Sequence, residues 1–328
     1  MKPRIFSGMQ PTGHLHIGNY LGALKNWARL QYDYEPIFGI VDQHAITAYQ
    51  DPAQLQENIE NVAALYVASG IDPQHSSIFA QSAIPGHVEL AWVFTCLTPM
   101  GWLSRMTQFK AKSGQQDSVT AGLFCYPVLM ASDILLYHAS IVPVGEDQAQ
   151  HLELTRDIAQ RFNTVYGETF VMPETKLPSV GSRIMGLDDP TEKMSKSAPG
   201  ANHAIGLLDT PAQVKKVIAR AVTDSQPGVD AGKPGPGVGN LLNIFQAFSE
   251  WPLERVQSHF AGMRYGDFKK QVAEAVISHL EPIQEKYRQL TSDRSALREL
   301  LADGARRVRP IAESTMAEVR AKTGLYRG

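Results

Sequence analysis

Cysteine is almost absent: Cys96 and Cys125 are the only two in 328 residues. Two thiols exclude a disulfide framework and a four-thiolate metal site, and no protein-held structural metal is expected. An excess of one charge is lacking too, with 31 Lys and Arg against 33 Asp and Glu, a net −2. A generally basic nucleic-acid binder is thereby excluded, so any RNA contact must come from a local patch. No apolar run is long enough to span a bilayer and no stretch reads as a signal peptide, so the expectation is a cytoplasmic protein without a membrane partner. What the chain does have is 43% hydrophobic residues. That is enough for one large core or two smaller ones, and two domains are expected.

Hydrophobic patterning gives the fold class. Ile5 and Phe6, Pro36 to Val41, Ser77 to Ala80 and Ala139 to Val144 read as short apolar strands with helical patterns between them. One helix is fully punctuated: Asp51 as N-cap, Pro52 at its first position, Leu55, Ile59, Val62 and Tyr66 on one stripe, and Gly70 as stop. Alternating strands and helices predict an α/β, Rossmann-like parallel sheet covered on both faces, with its ligand at the carboxyl ends of the strands.

The stretch Ser7 to Tyr20, S-G-M-Q-P-T-G-H-L-H-I-G-N-Y, leaves the first strand, turns through Gly8, Pro11 and Gly13, and enters a helix at about His16. A strand, a Gly-rich turn and a helix start present backbone N–H groups to an anion, so phosphate is the natural guest. His16 and Asn19, three apart, can both donate to phosphate oxygens, and Gly18 lets a base or ribose approach bare backbone. Far along the chain, Lys193-Met194-Ser195-Lys196-Ser197 lies between Asp188-Asp189-Pro190 and Pro199-Gly200. Two lysines and two hydroxyls on such a loop suit a clamp over a triphosphate, although a solvated basic loop has the same composition.

Together, H-I-G-N and K-M-S-K-S resemble the two signatures of class I aminoacyl-tRNA synthetases. Gly8 to Gly13 and Gly145-Glu146-Asp147-Gln148 resemble the bacterial tryptophanyl branch, and the similarity runs over nearly the whole chain. The general signature ends in H-I-G-H; Asn19 in the last place is itself a tryptophanyl feature. The resemblance implies a Rossmann-like catalytic domain over 1–186, with a dimer-forming insertion at about 88–122. It further implies a mobile lysine loop over 187–200 and an all-helical tRNA-binding domain over 201–328, whose last helix packs back on the first domain. The implied chemistry is activation of L-tryptophan by ATP with Mg²⁺, then transfer to tRNA(Trp) by a homodimer.

The resemblance also carries residue roles. It implies catalytic work for His16, Asn19, Lys112, Lys193 and Lys196. ATP contacts would come from Gln10, Pro11, Thr12, Gly18, Asn19, Gly145, Glu146, Asp147, Ile184, Lys193, Met194, Ser195, Lys196 and Ser197. Acidic residues at a helix start also serve as plain caps, which leaves a second reading of Glu146 and Asp147 open. The tryptophan pocket would consist of Phe6, His44, Tyr126, Met130, Asp133, Ile134, Val144 and Gln148. Tyrosyl relatives typically have Tyr, Asp and Gln where Phe6, Gln10 and Met130 stand here, so rejection of tyrosine is expected.

Asp133 shows how far the residues alone go. In Y-P-V-L-M-A-S-D-I-L-L-Y, a helix starting near Tyr126, it sits among apolar neighbours, and a carboxylate buried there needs a donor. An internal partner and a ligand both satisfy that need; the resemblance assigns an indole N–H. Residues 226–240, rich in Pro and Gly, read as a linker, and the patterns beyond them are helical. From Arg294 onward eight Arg and Lys face four Asp and Glu, a local +4. This is either a solvated face or an RNA-facing patch that includes Arg306, Arg307 and Arg309.

Overall fold

The computed structural model describes residues 2–109, 119–145, 148–176, 183–195 and 202–326. Five parallel strands, β1 (Arg4–Met9), β2 (Glu35–Ile40), β3 (Ser77–Ala80), β4 (Ile141–Pro143) and β5 (Glu174–Lys176), lie in the order β3-β2-β1-β4-β5. Register is fixed by alternation: Ile5, Phe38 and Ile78 point into one core, while Phe6, Ile37 and Phe79 point into the other. Both faces are therefore covered, as the near-continuous apolar strands require. β5 escaped the sequence reading because Glu174, Thr175 and Lys176 form a short edge strand with no apolar pattern.

The helix Pro52–Ala68 obeys its local signals. Asp51 accepts from the Gln54 N–H at 2.9 Å, and Gly70 follows at φ +101. Two boundaries differ from expectation. The helix carrying Asp133 is Ala121–Leu135, which starts earlier because Thr120 caps it by accepting from the Leu123 N–H, with Pro127 tolerated inside. In the Gly/Pro stretch, helix Pro236–Ser249 begins at Pro236 rather than beyond Asn240. Its glycine serves close approach there: a Cβ on Gly237 would stand 2.4 Å from the Val222 carbonyl oxygen.

The C-terminal region consists of Pro236–Ser249, Leu253–Phe260, Tyr265–Thr291 and Arg294–Thr323. Val238, Leu241, Phe268 and Val276 share one apolar cluster with Ile5, Leu21 and Tyr66. The last helix lies along β3 and sends Ala305, Val308, Ala312 and Met316 into the second cluster. Its arginines hold it there. Arg307 donates to the Pro73 carbonyl at 2.6 Å and Arg309 to that of Ala83 at 3.0 Å, while Arg306 pairs with Glu299 and Asp303. The excess charge that reads as an RNA patch in sequence thus has intramolecular partners at these three positions.

Candidate functional site

β1 and β4 are neighbours in space but far apart in sequence, so their helices leave in different directions and a crevice opens at their carboxyl ends. The Ser7 hydroxyl donates to the Pro143 carbonyl across it at 3.2 Å. A cavity of about 790 Å³ fills this crevice. At one end lie Gln10, Thr12, His16, Gly18, Asn19, Gly145, Ile184, Lys193, Met194 and Ser195, and at the other Phe6, His44, Tyr126, Met130, Asp133, Ile134, Val144 and Gln148. Pro11 is buried and does not line the cavity. Lys112, Glu146, Asp147, Lys196 and Ser197 lie outside the described residues.

The helix start is less open than its sequence implies. His16 is the N-cap, and its N–H donates to Asn19 Oδ1 at 3.1 Å. The Ile17 N–H is taken by the Ile205 carbonyl and the Asn19 N–H by that of His16, both at 2.9 Å. The space beside Gly18 is partly filled as well, since a Cβ there would stand 2.9 Å from His16 Nδ1. Side chains, more than the amides of Ile17 and Asn19, are what this turn offers an anion. Helix continues as a π segment, Tyr20–Leu24, which brings Gly22 and Ala23 to the cavity wall with Trp27 behind them.

Lys193 is held at the base of its loop by backbone pairing. Met185 and Lys193 form an antiparallel bridge, the Met194 N–H donates to the Ile184 carbonyl at 3.0 Å, and the Met194 side chain is buried. His203, also buried, lies 2.7 Å from Asp188 through Nδ1 and 3.2 Å from the Lys193 carbonyl through Nε2. Asn240 bonds both the N–H and the carbonyl of Met185 at 2.9 Å. No local pattern marks His203 or Asn240, because their partners lie 10 to 55 positions away in the chain.

At the other end, Asp133 is 2% exposed and does have internal donors. Gln81 Nε2 stands 2.6 Å and His87 Nδ1 2.7 Å from its Oδ1; His44 Nε2 stands 2.8 Å from Oδ2. The amide of Gln81 is oriented by its own Oε1, which accepts from the Gln43 N–H at 3.1 Å. Of the two ways to meet that need, internal partners are present: protein groups meet the charge, and a ligand would add to them. Burial raises the Asp133 carboxyl, but His44 and His87 together hold it below the usual carboxylate range. Tyr126, whose hydroxyl donates to Gln108 at 3.3 Å and lies 2.9 Å from His151 Nε2, is pushed by burial up to about 12 and stays a neutral phenol. Around these polar groups Phe6, Met130, Ile134 and Val144 make an apolar slot suited to a flat ring with one donor.

Known proteins have the same architecture. The family model of tRNA synthetases class I (W and Y) matches residues 1–281. A tryptophan–tRNA ligase of Wolinella succinogenes is 52% identical over 326 residues, which cover 99% of each chain. That of Helicobacter pylori is 49% identical over 325 residues, again 99% of each. Among solved structures, a tryptophanyl-tRNA synthetase from Mycoplasma pneumoniae matches with TM-score 0.93 and 36% identity, covering 99% of each chain. One from Campylobacter jejuni, complexed with ADP and tryptophan, matches with TM-score 0.85 and 38% identity over 98% of this chain and all of its own. A parallel sheet with its cavity at the β1–β4 crevice, and these identities over the full length, have one meaning: the chain belongs to the class I tRNA synthetases of the W and Y family and is an aminoacyl-tRNA synthetase, a ligase.

Proposed function

We propose that the chain activates L-tryptophan with ATP and passes the tryptophanyl group to tRNA(Trp). The observation that carries this reading is the continuity of one cavity from the His16, Asn19 and Lys193 end to the Asp133-floored slot, a span that suits an amino acid in line with a nucleotide phosphate. The relatives named tryptophan–tRNA ligases and the relative solved with ADP and tryptophan support the choice of both substrates.

In the first step a tryptophan carboxylate oxygen attacks the α-phosphorus. The bond to the bridging oxygen of the β-phosphate breaks, and pyrophosphate leaves with that electron pair. The attacking carboxylate is already ionised, so no general base is required, and positioning with charge stabilisation supplies the rate. His16, Asn19 and Lys193, joined by Lys112 and Lys196, are assigned to the phosphates, and Mg²⁺ enters with ATP. Gln10, Thr12, Gly18, Gly145, Ile184, Met194 and Ser195 hold the nucleotide. His44, Met130, Asp133 and Ile134 hold the indole, and Tyr126 and Gln148 the ammonium. In the second step a terminal ribose hydroxyl of the tRNA attacks the activated carbonyl and AMP leaves.

Residues 1–186 serve as the catalytic domain and 201–328 as the tRNA-binding one, in a cytoplasmic homodimer. Trp92 and Met100, 69% and 73% exposed, support a dimer contact on the segment 88–122. Charging tests the whole reaction. With ATP, Mg²⁺ and bacterial tRNA, labelled tryptophan should become acid-precipitable and be released by mild base. Precipitation of labelled tyrosine instead would overturn the choice of amino acid.

A further inference from the structure

Tyr137 stands behind the amino-acid end of the cavity without lining it, and it touches both sides of the slot. It is fully buried, its ring stacks on Phe6 at 5.8 Å with an interplanar angle of 15°, and its hydroxyl lies 2.7 Å from His87 Nε2. The other nitrogen of that imidazole, Nδ1, faces Asp133 Oδ1 at 2.7 Å. Among the described residues, Oδ1 thus has two partners, His87 and Gln81, whereas Oδ2 has His44 alone. A carboxylate oxygen offers two lone pairs, so the acceptor position left open on Asp133 belongs to Oδ2.

Which nitrogen of a neutral imidazole carries its single proton depends on the bond made by the other. Burial and the nearby Asp133 charge keep the Tyr137 phenol protonated, well above its usual range. A phenol that donates to Nε2 leaves the ring proton on Nδ1, where Asp133, an acceptor only, receives it. We propose that Tyr137 is a positioning residue for amino-acid selection: its hydroxyl donates to Nε2 and holds the His87 ring where Nδ1–H occupies Oδ1, and so reserves Oδ2 for an indole N–H. Without the hydroxyl Nε2 is left buried with no donor to meet it. The ring then shifts toward another partner, Oδ1 loses a donor, and the carboxylate turns. The inference rests on the tryptophan reading of the site.

The test compares tryptophan with β-(3-benzothienyl)alanine, which carries sulfur in place of the indole N–H, as substrates for pyrophosphate exchange. Wild type, Tyr137→Phe, His87→Asn and the double variant are measured. Asn at position 87 keeps an N–H donor near the place of Nδ1 and has no Nε2 for a hydroxyl to hold. Tyr137→Phe should reduce the preference for tryptophan over the sulfur analogue about tenfold, chiefly through KM for tryptophan and with KM for ATP unchanged. His87→Asn should retain the preference, and so should the double variant. Equal losses on both amino acids in Tyr137→Phe, or a double variant that discriminates less well than His87→Asn, would overturn the positioning role and leave Tyr137 as packing alone. A wild type without preference for tryptophan over the analogue would instead overturn the indole N–H reading beneath it.

Discussion

Gly304 of the last helix lies directly against Ile78 of β3: a Cβ on Gly304 would stand 1.9 Å from the Ile78 carbonyl oxygen. The contact joins residues more than two hundred positions apart and seats the helix along the end strand of the sheet. A methyl group there meets the Ile78 backbone, so one of the two elements must move. Gly304→Ala should cost about 1–3 kcal/mol, the usual range for overpacking, and lower the thermal unfolding midpoint. An unchanged midpoint would mean that the helix is not seated on β3 this closely.

Lys193 is the one lysine of its motif among the described residues, and it lines the cavity together with His16 and Asn19, the groups assigned to the phosphates in the proposed function. Replacing it with alanine should slow tryptophan activation on the order of 10²–10³, as loss of a single oxyanion donor does. Asp133 lies at the other end, so tryptophan affinity measured by calorimetry should be nearly unchanged. A variant that activates at the wild-type rate would remove Lys193 from the chemistry.

The carboxyl of Asp133 is held below its ordinary value of 3.8, so its contribution to stability has a defined sign. A group with a depressed folded-state pKa stabilises fully above its unfolded value, and the benefit is lost as pH falls through the folded one. Asp133→Asn leaves the donors of His44 and His87 without their carboxylate acceptor and should cost about 1–3 kcal/mol at neutral pH. The gap between wild type and variant in urea midpoints should stay constant from neutral pH down to that ordinary value and narrow only below it. A gap that already closes above it would contradict a depressed pKa.

On the proposed function, Mg²⁺ arriving with ATP would neutralise phosphate charge that the assigned lysines and histidine meet only in part. Chelation should abolish exchange, and excess Mg²⁺ should restore it fully. Exchange that persists through chelation would place the whole charge stabilisation on the side chains.

What could be read from the sequence was what is local. The Asp51 cap, Pro52 and Gly70 fix a helix through neighbours in the chain, and strands β1 to β3 announce themselves by continuous apolar runs. His16, Asn19 and Lys193 were equally legible as candidates, since they sit in short motifs, and the fold brings them to one cavity. The support for Asp133 was not. Gln81, His87 and Tyr137 look ordinary in their own surroundings and acquire meaning only when the sheet brings β3 and the Ala121–Leu135 helix together. Composition misled at Gly237, which reads as linker but admits the Val222 carbonyl, and it gives no sign that Arg307 and Arg309 reach carbonyls across the molecule.

Amino-acid-dependent exchange of labelled pyrophosphate into ATP, run with Mg²⁺ and each of the twenty amino acids without tRNA, tests the central claim most directly. The account predicts exchange with tryptophan and none with tyrosine, because a tyrosine hydroxyl would be stranded in the apolar slot of Phe6, Met130 and Ile134. Exchange driven by tyrosine, or none with tryptophan in folded protein that binds ATP, would contradict it.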